Sequence, residues 1–441
     1  MKITEVYSSK IVPRITHQIG VGDVIISDKA RSYVNDVLTS RRLSHGKYLS
    51  AYESEFAKAH NVRYAVSCSS GTDAIRAAIS CLKETENWKD GDEIIVPSVT
   101  FIATSNVVIQ NNLKPIFVDI EKDYYGIDPK LIEAKITPRT KAIIVVHLFG
   151  HPCDMDPILA IATKHKLKII EDSCETMFAK YKGRYVGTFG DLACFSSYAC
   201  HIICTGVGGM VTTNNSKYAT IVKSLLNHGR DSIYLSIDDD KNLDRQGLFK
   251  TVSRRFKFER LGYSSRLTEM EGALGLAQVE EREEGIVKRK RNGAFFTNRL
   301  SKFSKHLQLP KIRQEVDHVF MMYPIVVIEK DDILDFLNTK KEEITLQEMQ
   351  SFIEKRKSNF NKVDLVNFLE ESNIETRDML PLLNQPVYKK LFGDNLESKY
   401  PVAQWINKNG FYIGSHPSLT DEEKEYIIAK FEEFFRARQL I

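Results

Sequence analysis

The sequence predicts an α/β fold: a mostly parallel sheet covered by helices on both faces, followed by a smaller α+β domain. Two observations carry this. Short apolar runs rich in β-branched residues recur through the first half, as RYAVSC, DEIIVP, KPIFVDI, KAIIVVH and KLKIIED. Uninterrupted apolar runs of this length fit strands buried on both faces. Helix-like patterns such as GTDAIRAAISCLKE and DPILAIATKHK lie between them. In sheets of this kind ligands bind beyond the carboxyl ends of the strands, so the residues just after each run are the candidates for a site.

A long amphipathic pattern from Thr268 to Phe303 leads out of this domain and into the next, which divides the chain into residues 1–282 and 283–441. In the second part MMYPIVVIEK reads as a strand, VDLVNFLEES as a helix and DEEKEYIIAKFEEFFRARQ as a closing helix. Residues 331–362 are highly charged, with helix-like patches ILDFL and MQSFIEK. Thr345 and Glu348 have capping-box spacing. This stretch reads as an inserted helical pair, a solvated elaboration of the small domain.

Composition narrows the class. Of 441 residues, 42% are hydrophobic and 27% charged, which is ordinary for a globular protein. A net charge of +4 gives no support for a nucleic-acid partner. No run approaches the ~20 apolar residues that span a bilayer, and MKITEVYSSKIVPRITHQIG lacks the apolar core of a secretory signal. The seven cysteines are odd in number and absent from the second half, which argues against a disulfide framework and for a reducing cytoplasm.

Four strand-end motifs carry chemistry. In SCSSGTDAIRAA a strand ends in small residues and a helix begins, so its free N–H groups with the Ser70 and Thr72 hydroxyls make an anion site that suits a phosphate. Phe101, in VPSVTFIATSN, follows a strand and could stack on a flat ring. Asp172, in KIIEDSCET, is placed either to cap the next helix or to pair with a protonated pyridine nitrogen, which keeps such a ring an electron sink. Glu175, three residues on, could reach the ring's phenolic oxygen or a reacting group. The fourth motif is CFSSYACHIICTGVGG at 194–209, where Ser196 could add a donor to the phosphate and the glycines allow close approach to a ligand.

In this order and spacing the motifs resemble the DegT/DnrJ/EryC1/StrS family of nucleotide-sugar aminotransferases. The resemblance covers nearly the whole chain. It includes LSHGKYLSAYESEFAKAHNVRYAVSCSSGTDA, VHLFGHPCDMDPI, LGYSSRLTEMEGALGLAQVE, NIETRDMLPLLNQPVY and GSHPSLTDEE. It implies the fold-type-I architecture of pyridoxal-phosphate enzymes, with a seven-stranded large-domain sheet. It also implies that Ser70, Gly71, Thr72 and Ser196 hold the cofactor phosphate, that Phe101 stacks on the ring and that Asp172 pairs with its nitrogen. Asn227, in LLNHGR, would reach the phosphate of a neighbouring subunit, so a homodimer with shared active sites is implied.

The chain departs from the family pattern at three places. Where the family has lysine, five residues after Ser196, stands His201; its GEGG is here GVGG, with Val207; and its glutamine three residues after the aspartate is Glu175. An imidazole cannot form the stable imine that a lysine amine forms. Pyridoxamine phosphate is then the natural bound form, and His201, titrating near neutrality, suits a general base. The pattern resembles the sugar 3-dehydratases of the same family, which remove the C3 hydroxyl of nucleotide-linked 4-keto-6-deoxyhexoses on the way to 3,6-dideoxysugars. Some of these bind an iron–sulfur cluster through cysteines after the histidine. Here Cys204 is the last cysteine, so the resemblance is to those that need no metal and are recharged by L-glutamate. The expected catalytic residues are His201, Asp172 and Glu175. The alternatives are an aminotransferase that works without the lysine and a non-catalytic relative.

Overall fold

The computed structural model describes residues 15–232, 241–328 and 360–440. The reading of an inserted helical pair at 331–362, with its Thr345–Glu348 box, falls almost wholly outside these. All five strand readings are found, as β1 (Tyr64–Cys68), β2 (Glu93–Pro97), β3 (Lys114–Val118), β4 (Thr140–Val146) and β5 (Lys168–Asp172). A short ribbon follows, β6 (Lys180–Tyr181) and β7 (Arg184–Tyr185), then β8 (Leu192–Ser196) and β9 (Gly209–Thr213). Seven of these form the central sheet in the order β1-β9-β8-β5-β4-β2-β3. Only β9 runs antiparallel to its neighbours. β2 and all but one residue of β4 are buried, as expected for strands covered on both sides.

Helices α1 (Asp28–Ser40), α2 (Lys47–His60), α3 (Gly71–Thr85), α4 (Ile102–Gln110), α5 (Pro129–Ile132), α6 (Met155–His165), α7 (Ser216–Leu226) and α8 (Arg245–Arg254) belong to this half. The long amphipathic pattern forms one helix, α9 (Glu269–Leu300), opened by a capping box of Thr268 and Glu271. Its first residue has a second duty. Gly46 gives α2 no side-chain cap, and buried Glu269 instead accepts from Tyr48 N at 2.7 Å and Leu49 N at 3.0 Å. A carboxylate here satisfies two orphaned N–H groups and faces the positive end of the helix dipole.

After α9 come β10 (Leu307–Gln308), β11 (Val316–Asp317), β12 (Met322–Val327), α10 (Lys362–Glu371), β13 (Arg377–Asp378), α11 (Pro386–Phe392), α12 (Pro401–Asn409), β14 (Gly410–Gly414) and α13 (Asp421–Ala437). β10, β12, β14 and β13 make an antiparallel sheet in that order, while β11 joins the β6–β7 ribbon. The side-chain period of two splits β12 and β14 between two cores. Tyr323, Ile325 and Val327, with Phe411 and Ile413, pack with Phe431 and Phe435 of α13. Met322, Val326 and Tyr412 face the other way, into the core of the large sheet. Their alternation is what brings the small domain against the strand ends of the large one. The N-terminal segment is stitched to the same place, since Ile19 bridges Ile374 in parallel. No helix among the described residues is long and apolar enough to cross a membrane.

Candidate active site

A cavity of about 520 Å³ opens at the carboxyl ends of β1, β2, β4, β5 and β8. That volume suits a small ligand or cofactor. Eight of the nine residues singled out in the sequence line it: Ser70, Gly71, Thr72, Phe101, Asp172, Glu175, Ser196 and His201. Asn227 is not among the lining residues. It caps the end of α7, nearly buried, and accepts from Arg266 Nη1 at 2.8 Å.

One end is an anion cradle. Ser70 caps α3 by accepting from Asp73 N at 3.0 Å. The first-turn N–H groups of Gly71 and Thr72 make no bond to protein among the described residues. At Gly71 a Cβ would stand 2.7 Å from Ser196 Cβ and 2.8 Å from Cys174 Sγ, so any side chain here would fill the space between α3 and Ser196. The residues fit a phosphate group.

Asp172 lies deeper, at the end of β5 and almost fully buried. Thr104 Oγ1 donates to Oδ2 at 2.8 Å and Cys174 N to Oδ1 at 3.2 Å. Burial pushes its carboxyl upward from the ordinary aspartate value, against the hydrogen bonds from Cys174 and Thr104, and a cationic partner would favour its ionised form. A pyridinium nitrogen is such a partner. Phe101 stands at the lip as the N-cap residue of α4, 59% exposed.

Glu175 sits between Asp172 and the small domain. Its Oε2 accepts from Phe149 N at 3.0 Å. Burial, together with the charge of Asp172, lifts its carboxyl to about 7 against the pull of that N–H. His201 lies on a loop fastened at several points: Ser197 N to Gly208 O at 2.9 Å, Thr205 N to Ser197 O at 2.8 Å and Cys204 N to Gln278 Oε1 at 2.7 Å. Burial, then the charge of Arg289, lower its imidazole to about 4. Nδ1 is buried without a partner. Among the described residues lining the cavity none is a lysine.

The remaining wall was not foreseen. Val21 and Gly22 come from the N-terminal segment, Glu375 from just before β13, Arg377 from its first position, and Tyr412 from β14. Glu375 Oε2 accepts from Val21 N at 2.7 Å, and its Oε1 meets Arg377 Nη2. Arg377 lies inside NIETRDMLPLLNQPVY, a stretch that carried the resemblance without suggesting a role for it.

The sequence matches the DegT/DnrJ/EryC1/StrS aminotransferase family over residues 24–349 and 336–432. The chain belongs to this family. Among similar DegT-family proteins, a GDP-perosamine synthase of Escherichia coli O157:H7 is 32% identical over 93% of this chain and 96% of its own length. A dTDP-4-dehydro-2,6-dideoxy-D-glucose 3-dehydratase of Saccharopolyspora spinosa is 29% identical over 93% and 85%. Among solved structures, the GDP-4-keto-6-deoxy-D-mannose-3-dehydratase of E. coli with bound hydrated PLP superimposes with a TM-score of 0.79 at 27% identity, covering 94% of this chain and 100% of that one. The same enzyme with a trapped PLP–glutamate geminal diamine gives 0.78. The fold is thus that of the pyridoxal-phosphate aminotransferases, and this DegT-family chain takes pyridoxal or pyridoxamine 5'-phosphate as its cofactor.

Proposed function

We propose that the protein is a sugar 3-dehydratase that removes the C3 hydroxyl of a nucleotide-linked 4-keto-6-deoxyhexose, with His201 as general base where the family carries lysine. The observation that carries this is His201 itself, on the cavity wall, with no lysine among the described residues around it. The bound cofactor in its amino form supplies an amine for the substrate ketone and a ring that accepts electrons. Gly71, Thr72 and Ser196, with Ser70 capping their helix, hold its phosphate. Phe101 covers one face of the ring, and Asp172 holds its nitrogen protonated. His201, neutral above about pH 4, takes the proton whose loss starts elimination, as a base must be unprotonated to do. Glu175 keeps its proton to about pH 7 and is a proton source for the hydroxyl that leaves as water. L-glutamate would be the amino donor that recharges the cofactor, and ammonia would be the second product.

Two chains complete the enzyme on this reading. Leu261 is 96% and Phe256 82% exposed, in the segment after α8, which suits burial against a second copy, and Asn227 would serve the partner's phosphate. A reducing cytoplasm suits the seven free thiols. A second reading, transamination, is favoured by the likeness to GDP-perosamine synthase. A mass-spectrometric product assay separates the two, using the holoenzyme, glutamate and a panel of nucleotide-linked 4-keto-6-deoxyhexoses. The dehydratase gives a product short of one oxygen with ammonia released. A product carrying an amine overturns it.

A further inference from the structure

His201 stands on a loop with a neck and a tip, and the two are held by different means. The neck closes on itself: Ser197 N donates to Gly208 O at 2.9 Å, Thr205 N donates to Ser197 O at 2.8 Å, and Tyr198 bridges Gly206. The tip, residues 199–204, carries His201 beyond that closure. Nδ1 of the imidazole is buried without a partner among the described residues, so no hydrogen bond at that nitrogen fixes the plane of the ring. Its aim therefore depends on the backbone of the tip. Two side chains of α9 bind that backbone. Gln278 accepts from Cys204 N at 2.7 Å through Oε1 and donates to Cys204 O through Nε2. Arg289 reaches His201 O at 3.5 Å, long for a hydrogen bond. The two residues lie about three turns apart on one face of the helix. Ile203, which precedes Cys204, is buried in the same core cluster as Leu276 and Val279 of α9.

We infer that Gln278 is a positioning residue for His201: its amide holds the tip of the loop through both backbone groups of Cys204 and so fixes where the imidazole stands in the cavity. The inference rests on the reading of His201 as general base. One side-chain amide here does what a paired strand residue does, donating to and accepting from a single residue. That chemistry narrows the residue type. Asparagine is one carbon too short, methionine has the length but neither bond, and an ionised glutamate sets an acceptor against the Cys204 carbonyl. The helix that carries Gln278 is itself fixed at both ends. Its first residue, Glu269, binds Tyr48 N and Leu49 N at the start of α2, and Arg289 binds Met321 O at 2.8 Å, just before β12. The tip is thus referred through one helix to both halves of the molecule. Proton transfer is sensitive to such a reference, since a displacement of about 1 Å costs on the order of 100-fold in rate.

The test compares full-length wild type, Gln278→Met and Gln278→Glu, with circular dichroism to check folding. Before cofactor is added, iodoacetamide labelling mapped by peptide mass spectrometry reports on the tip. Buried Cys204 should label at least about tenfold faster in Gln278→Met, as for loss of two hydrogen bonds that resist local opening, while buried Cys68, Cys81 and Cys153 stay as slow as in the wild type. With cofactor and nucleotide sugar, kcat should fall by about 10- to 100-fold, with cofactor affinity and the KM of the sugar within about twofold of wild type. Gln278→Glu should show the same loss near about pH 7. Its kcat relative to wild type should recover towards about pH 5, because a protonated carboxyl again donates to Cys204 O. Wild-type labelling and kcat in Gln278→Met overturn the inference. A loss shared by cofactor affinity, or a Gln278→Glu deficit that is the same at both pH values, also overturns it and leaves Gln278 a packing role; if Gln278→Met does not fold, the Gln278→Glu profile decides. A wild type that makes an aminated product overturns the dehydratase reading alone, since the same ratios on that product still decide the hold on His201. A His201→Ala protein as fast as wild type overturns the base and its positioning together.

Discussion

Replacing Glu175 by glutamine is expected to stabilise the folded protein above neutral pH and to change nothing in acid. Burial beside Asp172 raises this carboxyl from 4.5 to about 7. Below 4.5 folded and unfolded chains both carry the proton. As pH rises through the window between those values, the unfolded chain releases it and the folded chain keeps it, so stability falls and the full loss is reached above about pH 7. A shift of this size corresponds to about 3 kcal/mol. The carboxyl also lines an open cavity, where water screens it, so about 2 kcal/mol is the better figure. Glutamine keeps the acceptor that Phe149 N uses at 3.0 Å and removes the charge. Urea unfolding of cofactor-free wild type and Glu175→Gln, followed by circular dichroism, measures the difference. The two should coincide near pH 4 and separate by about 2 kcal/mol near pH 8, with the variant the more stable. Parallel curves across the whole range would show that Glu175 titrates as an ordinary carboxyl, and its assignment as a proton source near neutrality would fall with them.

His201→Lys restores an amine at the loop position and should give an imine absorbance band with pyridoxal phosphate, with product shifted from loss of oxygen towards gain of nitrogen; an unchanged cofactor spectrum contradicts the placement of His201. With the imidazole at about 4 and Glu175 at about 7, turnover should stay level from about pH 6 down to about pH 5, fall below that as His201 gains a proton and fall above about pH 7 as Glu175 loses one, whereas an acid limb near 6.5 would mean that the ring is solvated in the working enzyme. Gly71→Ala puts a methyl into the space between Ser196 and Cys174 and should weaken cofactor binding by at least about tenfold, read as the concentration of cofactor needed to saturate absorbance. Glu269→Ala orphans two N–H groups at the start of α2 and should cost about 2–3 kcal/mol in urea unfolding.

The parts of the site that were legible share one property: each lies within a few residues of a strand end. Ser70, Gly71 and Thr72 follow β1, Phe101 follows β2, Asp172 closes β5 with Glu175 three residues on, and Ser196 closes β8. A chain that alternates buried strands with helices declares the ends of β1, β2 and β5 in its own pattern. Two strands of the sheet went unread for a local reason. β8 (LACFS) mixes small and polar residues, and β9 (GMVTT) begins in the glycine run of a ligand loop, so neither shows the β-branched run of β4. The far wall was illegible for a different reason. Val21, Glu375, Arg377 and Tyr412 are brought together by the Ile19–Ile374 bridge, the Val21–Glu375 bond and the pairing of β13 with β14. The bridge and the bond to Val21 reach across most of the chain and the β13–β14 pairing across a helix pair, and no local period encodes them. Even Tyr412, whose neighbours Phe411 and Ile413 face another core, reads in sequence as one more apolar residue of a short strand.

The two groups on which the proposed chemistry turns are kept uncharged by a common cause, and this bears on why a histidine can work here. His201 is half-buried and has behind it Arg289, a buried guanidinium whose hydrogen-bond acceptors are carbonyl oxygens, Met321 O at 2.8 Å and His201 O at 3.5 Å. A cation with no carboxylate beside it lowers any neighbouring base. Glu175 is raised by the same low-dielectric surroundings, with Asp172 adding to the effect. Between about pH 4 and 7 the cavity therefore holds an unprotonated base and a protonated acid together. An elimination needs that combination, one proton removed and one supplied to the leaving oxygen. Replacing Arg289 by methionine should raise the acid limb of turnover towards the ordinary value of imidazole. If the limb stays where it was, desolvation alone sets the basicity of His201 and Arg289 serves only to hold the loop.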